Sequence, residues 1–191
     1  WVPEVYANAP SAISGMFASV TSKAMLFILP MVSLKLNIVR EELGLFLLVF
    51  SAANMLLGAI RMLTQQNLRR LLAYSAITHT GYLMFILSIY FLFDIPEALV
   101  AALFSFFSIA LMKAMAFLCV GVYEYRLRTF TIQSVNGAFQ RTPYTAVCFS
   151  IALAGLAGIP LLAGFVGKWL IYFAAVSTRD PLVLVGFAIF L

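Results

Sequence analysis

Between Tyr144 and Val176 the chain carries one charged residue, Lys168, and is interrupted by Gly155, Gly158, Pro160, Gly164 and Gly167. A stretch this long and apolar can cross a bilayer, which takes about 20 apolar residues. Pro160 cannot donate to a helical ladder, so the spacing predicts a helix broken near Gly158-Ile159-Pro160. Inside a membrane, unwound backbone is tolerated only where it is buried in protein or lines a watery cavity. A lysine shortly beyond such a break is costly in hydrocarbon and marks a candidate site on an ion or proton path.

The rest of the chain fits a membrane setting. Hydrophobic residues make up 64% of 191 and charged residues 10%, with a mean hydropathy of +1.05, against the roughly 25% charged content of soluble domains. The chain reads as one all-α membrane domain over residues 1–191, a polytopic helical bundle of about five to six transmembrane helices, one of them broken. The net charge of +5 carries no nucleic-acid reading, because in a membrane chain the placement of the charges matters more than their sum. Cys119 and Cys148 lie in apolar runs without metal-ligand spacing and are expected to pack as small buried hydrophobes.

In chain order, residues 1–10 read as a surface or re-entrant loop bracketed by Pro3 and Pro10. Spans are expected at Ser11–Leu34, Leu45–Leu63, Leu71–Phe93 and Ala98–Val122, followed by the broken segment. The charged connections are Lys35–Gly44, Thr64–Arg70, Asp94–Glu97, Tyr123–Pro143 and the turn at Arg179-Asp180-Pro181. Arg61, near the end of its span, is expected to snorkel to the headgroups. The closing run Leu182–Leu191 is about half a span long.

If each span crosses once, connections 64–70 and 123–143 share one side and gather Arg69, Arg70, Arg126, Arg128 and Arg141. That side is then cytoplasmic or matrix. Counting inward from it at 1.5 Å per residue places His79 and Lys113 about 12 to 14 Å deep and Lys23 about 18 Å deep, and Lys168 is expected to join them. One intramembrane lysine could be an accident of packing. Several at a common depth need a shared polar interior, and a hydrated relay accounts for them economically. Burial disfavours the charged form of a lysine, so such groups can trade protons near neutrality, where histidine also titrates.

The motifs Trp1-x-Pro3-x-Val5-Tyr6-x-x-Ala9-Pro10, Ser22-Lys23, Gln66-Asn67-x-Arg69-Arg70 through Tyr74-Ser75 to His79-x-Gly81-Tyr82, and Leu156-Ala157-Gly158-Ile159-Pro160 through Gly164-Phe165-x-Gly167-Lys168 occur in this order. Together they resemble subunit 2 of NADH:quinone oxidoreductase, respiratory complex I, one of its antiporter-like membrane subunits. The resemblance implies an antiporter-like fold and proton translocation coupled to quinone reduction. It assigns Lys23 a central relay role, Lys168 of the broken helix the terminal proton exchange, and His79 a place on the same axis. Lys113 is a further candidate, although its surroundings are closer to the subunit 5 type. Arg69 stands where relatives commonly carry lysine, an exchange expected to be a surface matter.

The same resemblance implies that this chain binds no cofactor of its own, with FMN, iron-sulfur clusters and ubiquinone held by other subunits. Its expected partners are the other membrane-arm subunits, membrane lipids, and a companion chain supplying upstream helices; the chain corresponds to the C-terminal part of a subunit, either because the gene is split or because the chain is a fragment. The setting it implies is the mitochondrial inner membrane ahead of a bacterial plasma membrane or thylakoid. A multi-subunit cation/proton antiporter and a structural subunit that no longer pumps share the fold and stand as alternatives.

Overall fold

A computed structural model describes residues 1–36, 40–128 and 130–190. Among them the backbone is helical apart from connections and a single antiparallel bridge between Asn67 and Thr131. The helices are α1 (Val2–Asn8), α2 (Ser11–Met16), α3 (Ser22–Leu36), α4 (Arg40–Leu63), α5 (Leu68–Phe93), α6 (Pro96–Leu127), α7 (Ala138–Arg141), α8 (Pro143–Ala157), α9 (Ala163–Thr178) and α10 (Pro181–Phe190). A π-helical turn, Phe17–Thr21, joins α2 to α3, so the first expected span is one rod with a widened turn inside it.

Residues 1–10 are mostly helix rather than loop. Pro3 sits in the first turn of α1, where its missing N–H is no loss. Tyr6 is buried edge-on against Phe117, ring centroids 6.1 Å apart, and its carbonyl accepts from the Ser14 hydroxyl at 2.9 Å. The segment is therefore folded onto the bundle.

The centre of the bundle is α5. Of its most apolar stretch 61% is buried, against 28% for α4, so α5 is the core helix and α4 lies outside it with one face to lipid. Lipid gives helices no solvent-driven reason to associate, so close packing must hold them together. Gly81 provides it: a Cβ there would meet Met55 Cγ at 2.8 Å and the Ser51 carbonyl at 2.9 Å. Asn67 starts α5 by accepting from the Arg69 N–H at 2.9 Å, an N-cap. Outward, α4 and α6 present Val49, Leu57, Ile60, Phe107 and Leu111.

The connections alternate between two ends as the sequence requires. At one end Leu68 N–H donates to the Phe130 carbonyl at 2.8 Å and Ile132 N–H to the Gln66 carbonyl at 3.0 Å, so segments 64–67 and 130–132 meet. At the other end Arg40 pairs with Asp94 at 2.8 Å. Of the expected connection Lys35–Gly44, residues 37–39 lie outside the described residues, as do Thr129 in the Tyr123–Pro143 connection and Leu191 in the last run.

Three further expectations are corrected. The connection expected to begin at Tyr123 is still helix as far as Leu127. The reason is also the second correction: Arg69 is buried, pairs with Glu124, and donates to the Ser11 hydroxyl at 2.9 Å and the Ala7 carbonyl at 3.1 Å. It ties α1, the start of α2 and the last turn of α6 to α5. Third, Cys119 is buried but Cys148 is exposed, on the outer side of α8.

Candidate functional site

The helix break falls where the sequence places it. α8 ends at Ala157, Gly158 adopts a left-handed φ of 84°, Leu161 one of 78°, and α9 begins at Ala163. A glycine takes such a φ at no steric cost. Gly158 is needed twice over, because a Cβ there would also meet Lys168 Cδ at 2.7 Å. The two half-helices touch through Gly155 and Gly164, where an added Cβ on Gly164 would collide with the Gly155 carbonyl. Lys168 Nζ donates to the Ala157 carbonyl at 2.8 Å, at the negative end of α8, where a cation is favoured.

Lys23 is fully buried two residues beyond the π turn, and its ammonium donates back to the Ala18 carbonyl inside that turn. π turns recur at functional sites because they reset the hydrogen-bond register. Nothing in Phe-Ala-Ser-Val-Thr signals one. The Tyr6 hydroxyl contacts the Ser22 hydroxyl at 2.5 Å beside it.

Lys113 is also fully buried. From α6 it donates to the Leu72 carbonyl at 3.0 Å and to the Ser75 hydroxyl, while Ser75 donates in turn to the Leu72 carbonyl at 2.9 Å. His79, 6% exposed, places Nδ1 2.5 Å from the Ser75 carbonyl, and the Leu156 backbone approaches the ring from α8. The His79 ring meets Tyr82 edge-on at 5.2 Å, and Lys168 Nζ lies 5.7 Å from the Tyr82 ring centroid, within cation–π range. Lys23 and Lys113 are near enough to interact electrostatically with each other and with His79.

The structure thus brings the four expected residues together, and it adds two that the sequence reading did not single out. Ser75 links Lys113 to His79, and Tyr82 links His79 to Lys168. The signal was available: positions 72, 75, 79 and 82 recur every three or four residues and share one face of α5. Two cavities of about 20 and 280 Å³ lie beside this face, and His79, Tyr82 and Lys168 line both. Among the described residues no group of His, Cys, Asp or Glu could hold a metal ion.

A helical bundle with a broken membrane segment, whose intramembrane lysines and histidine gather around one face of α5 among hydroxyl and ring groups, has the features of the antiporter-like class of membrane protein. The chain belongs to the NADH:quinone oxidoreductase/Mrp antiporter transmembrane family, whose model matches residues 1–191. It is 34% identical over 177 residues to the chloroplastic NAD(P)H-quinone oxidoreductase subunit 2 of Nephroselmis olivacea, an alignment covering 92% of this chain and 34% of that one. It is 35% identical over 190 residues to NAD(P)H-quinone oxidoreductase subunit 2 of a Synechococcus strain, covering 97% and 35%. A third relative is NADH-quinone oxidoreductase subunit N 2 of Syntrophobacter fumaroxidans, 32% identical over 178 residues, covering 93% and 37%.

Among solved structures, the Mrp complex of Dietzia sp. DQ12-45-1b contains a chain similar over the whole of this one, with a TM-score of 0.86 and 22% identity, this chain covering 35% of its length. An archaeal membrane-bound sulfane sulfur reductase gives 0.80 and 24%, covering 39%. At those identities the likeness establishes the fold. The chain spans about a third of the length of the curated relatives it matches. It is a multi-pass membrane protein, and relatives from a chloroplast, cyanobacteria and other bacteria do not single out the mitochondrion.

Proposed function

We propose that this chain forms part of a proton-translocating, non-redox subunit in the membrane arm of an NADH:quinone oxidoreductase. The observation that carries the reading is the line Lys113, Ser75, His79, Tyr82, Lys168 running beside two cavities, with the fully buried Lys23 in electrostatic range of Lys113 and His79, in a family named for quinone oxidoreductases and antiporters. Lysine and imidazole can each hold or release a proton, and the hydroxyls of Ser75 and Tyr82 can both donate and accept. Cavity water would close the remaining gaps.

Quinone reduction elsewhere in the complex would shift charge along the membrane and alternately favour the protonated and neutral states of Lys23 and Lys168. FMN, iron-sulfur clusters and ubiquinone belong, in this reading, to other subunits. The partners are other membrane-arm subunits, lipids and a companion chain carrying further helices. The setting is an energy-converting membrane, with the mitochondrial inner membrane, a bacterial plasma membrane and a thylakoid as its forms.

Lys168→Ala in the assembled complex is expected to abolish or sharply reduce proton pumping while leaving assembly intact. Unchanged pumping per NADH would sink the assignment. A second reading, a subunit of a multi-subunit cation/proton antiporter, is favoured by the fold likeness to the Mrp chain. It is separated by mass spectrometry of the polypeptides that co-purify and by Na⁺-dependent transport without NADH oxidation.

A further inference from the structure

Where the last turn of α6 meets α7 and the start of α8, a surface cavity of about 540 Å³ carries two arginines, Arg126 and Arg141, with Val122, Thr142, Tyr144 and Thr145 around them. Among the described residues no carboxylate lines it. Glu124, two residues before Arg126, is drawn away to Arg69. The three ion pairs among the described residues engage Arg40, Arg69 and Arg70, so Arg126 and Arg141 share this cavity without a counter-charge from them. Two guanidiniums on one cavity repel each other, and each is shaped to receive two phosphate oxygens side by side. α8 adds to the positive field: no side chain caps its N-terminus, and the Thr142 hydroxyl turns back to the Ala138 carbonyl at 3.1 Å.

The surroundings select the kind of phosphate. From the cavity toward the membrane interior, Val122 and Leu118 lie one turn apart on α6, and Tyr144, Val147 and Ile151 share a face of α8; all five are exposed. An anion with an apolar body matches this arrangement, whereas a soluble phosphate would leave the strip bare. Tyr144 stands at the junction, the kind of ring that favours the headgroup layer. The two arginines also lie on the side that the charged connections make cytoplasmic or matrix, where the leaflet carries anionic lipid and basic pockets between helices take its headgroups. We propose that this cleft binds an anionic phospholipid, its phosphate held between Arg126 and Arg141 and its acyl chains laid along the strip formed by α6 and α8. The lipid ties the start of the broken segment to the headgroup layer. This occupancy follows from the membrane orientation and is independent of proton pumping.

The test uses the complete complex that contains the full-length subunit, stripped of lipid in a neutral detergent and exposed to mixed micelles holding equal amounts of phosphatidylglycerol and phosphatidylcholine. Native mass spectrometry counts the lipids retained per complex, and the same spectra report subunit content. The parental complex should retain phosphatidylglycerol in preference to phosphatidylcholine, and inorganic phosphate added with the micelles should not displace it. Arg126→Gln and Arg141→Gln should each weaken retention of one phosphatidylglycerol roughly fivefold, and the double variant about 25-fold, the effect of removing one surface cation at a time. Both side chains are exposed, so these variants are expected to assemble; should the double variant lose subunits, the single variants decide. Arg126→Lys with Arg141→Lys keeps both charges and should recover most of the loss. Arg128→Gln, on the same connection but off the cavity, should change nothing. Equal retention by the parent and the double variant overturns the site. Weakening by Arg128→Gln as large as that by Arg126→Gln reduces it to diffuse surface attraction and overturns it as well. Displacement by inorganic phosphate would assign the cleft to a soluble anion, and a parental complex that holds no phosphatidylglycerol there would mean that another polypeptide covers it; either result refutes the lipid.

Discussion

Replacing Lys113 by methionine separates the polar path from the packing that surrounds it. Lys113 is fully buried and its ammonium has two acceptors, the Leu72 carbonyl and the Ser75 hydroxyl. Methionine fills nearly the same volume with a flexible apolar chain. Neither acceptor is stranded by the change, because Ser75 still donates to the Leu72 carbonyl at 2.9 Å. The loss of two hydrogen bonds from a charged donor, about 1.5 to 3 kcal/mol each, is offset by relief of the several kcal/mol that desolvating an ammonium costs. The net change in stability is expected to lie within about 2 kcal/mol of zero, of either sign.

Function is expected to respond far more. A positioned acid–base group contributes roughly 10²- to 10⁴-fold to proton transfer, and Lys113 is the group that meets the Ser75 hydroxyl from α6. Proton pumping by Lys113→Met should fall by about a hundredfold or to the level of parallel routes in other subunits. The assay is proton uptake into vesicles holding the purified complex, with quinone reduction and subunit content measured on the same preparation. A fully assembled Lys113→Met complex that keeps the parental ratio of protons to electrons would refute the link drawn through Ser75.

Gly164→Ala should destabilise by overpacking, typically 1 to 3 kcal/mol, and more here because the collision is with the Gly155 backbone, which has no rotamer to change. Reduced subunit incorporation on native gels would report it. Gly137→Ala is the control: its φ is 80° but nothing lies within 4 Å of the added Cβ, so only about 1 kcal/mol of backbone strain is expected and assembly should persist. Arg69→Met leaves Glu124 unpaired and removes the donors to Ala7 and Ser11. Because Glu124 is 42% exposed, the cost should be about 1 to 3 kcal/mol, below that of breaking a fully buried pair, and visible as faster thermal inactivation with initial pumping unchanged.

The spans and the break were legible because they depend on run length and on one proline, both local properties. Lys23, His79, Lys113 and Lys168 stood out because a charge in an apolar run is rare whatever surrounds it. Ser75 and Tyr82 did not, since a serine or tyrosine in a membrane helix is common and only its neighbours make it notable. Arg69 shows a different failure. Two adjacent arginines at a helix start look alike in composition, yet only Arg69 falls on the face continued by Leu72, Ala73 and Ala76, all buried, while Arg70 points outward to Glu4 at 3.1 Å. Helical phase, extended one turn upstream, would have separated them. The π turn left no mark because Phe-Ala-Ser-Val-Thr occurs as readily in an ordinary α-helical turn of a membrane span.

Ser75, His79 and Tyr82 all ride on α5, a single helix anchored at one end by the Asn67 cap and the Arg69 clasp. Spacings along such a rod are fixed by its own pitch and stay constant when the bundle flexes. Lys168 instead stands on the second of two half-helices, where it meets the Ala157 carbonyl and the face of the Tyr82 ring. Mechanically the device is a ruler with one movable jaw: the gap between Tyr82 and Lys168 is the dimension that a strain arriving along the membrane would change first, so a small displacement there would act as a throttle on the whole line.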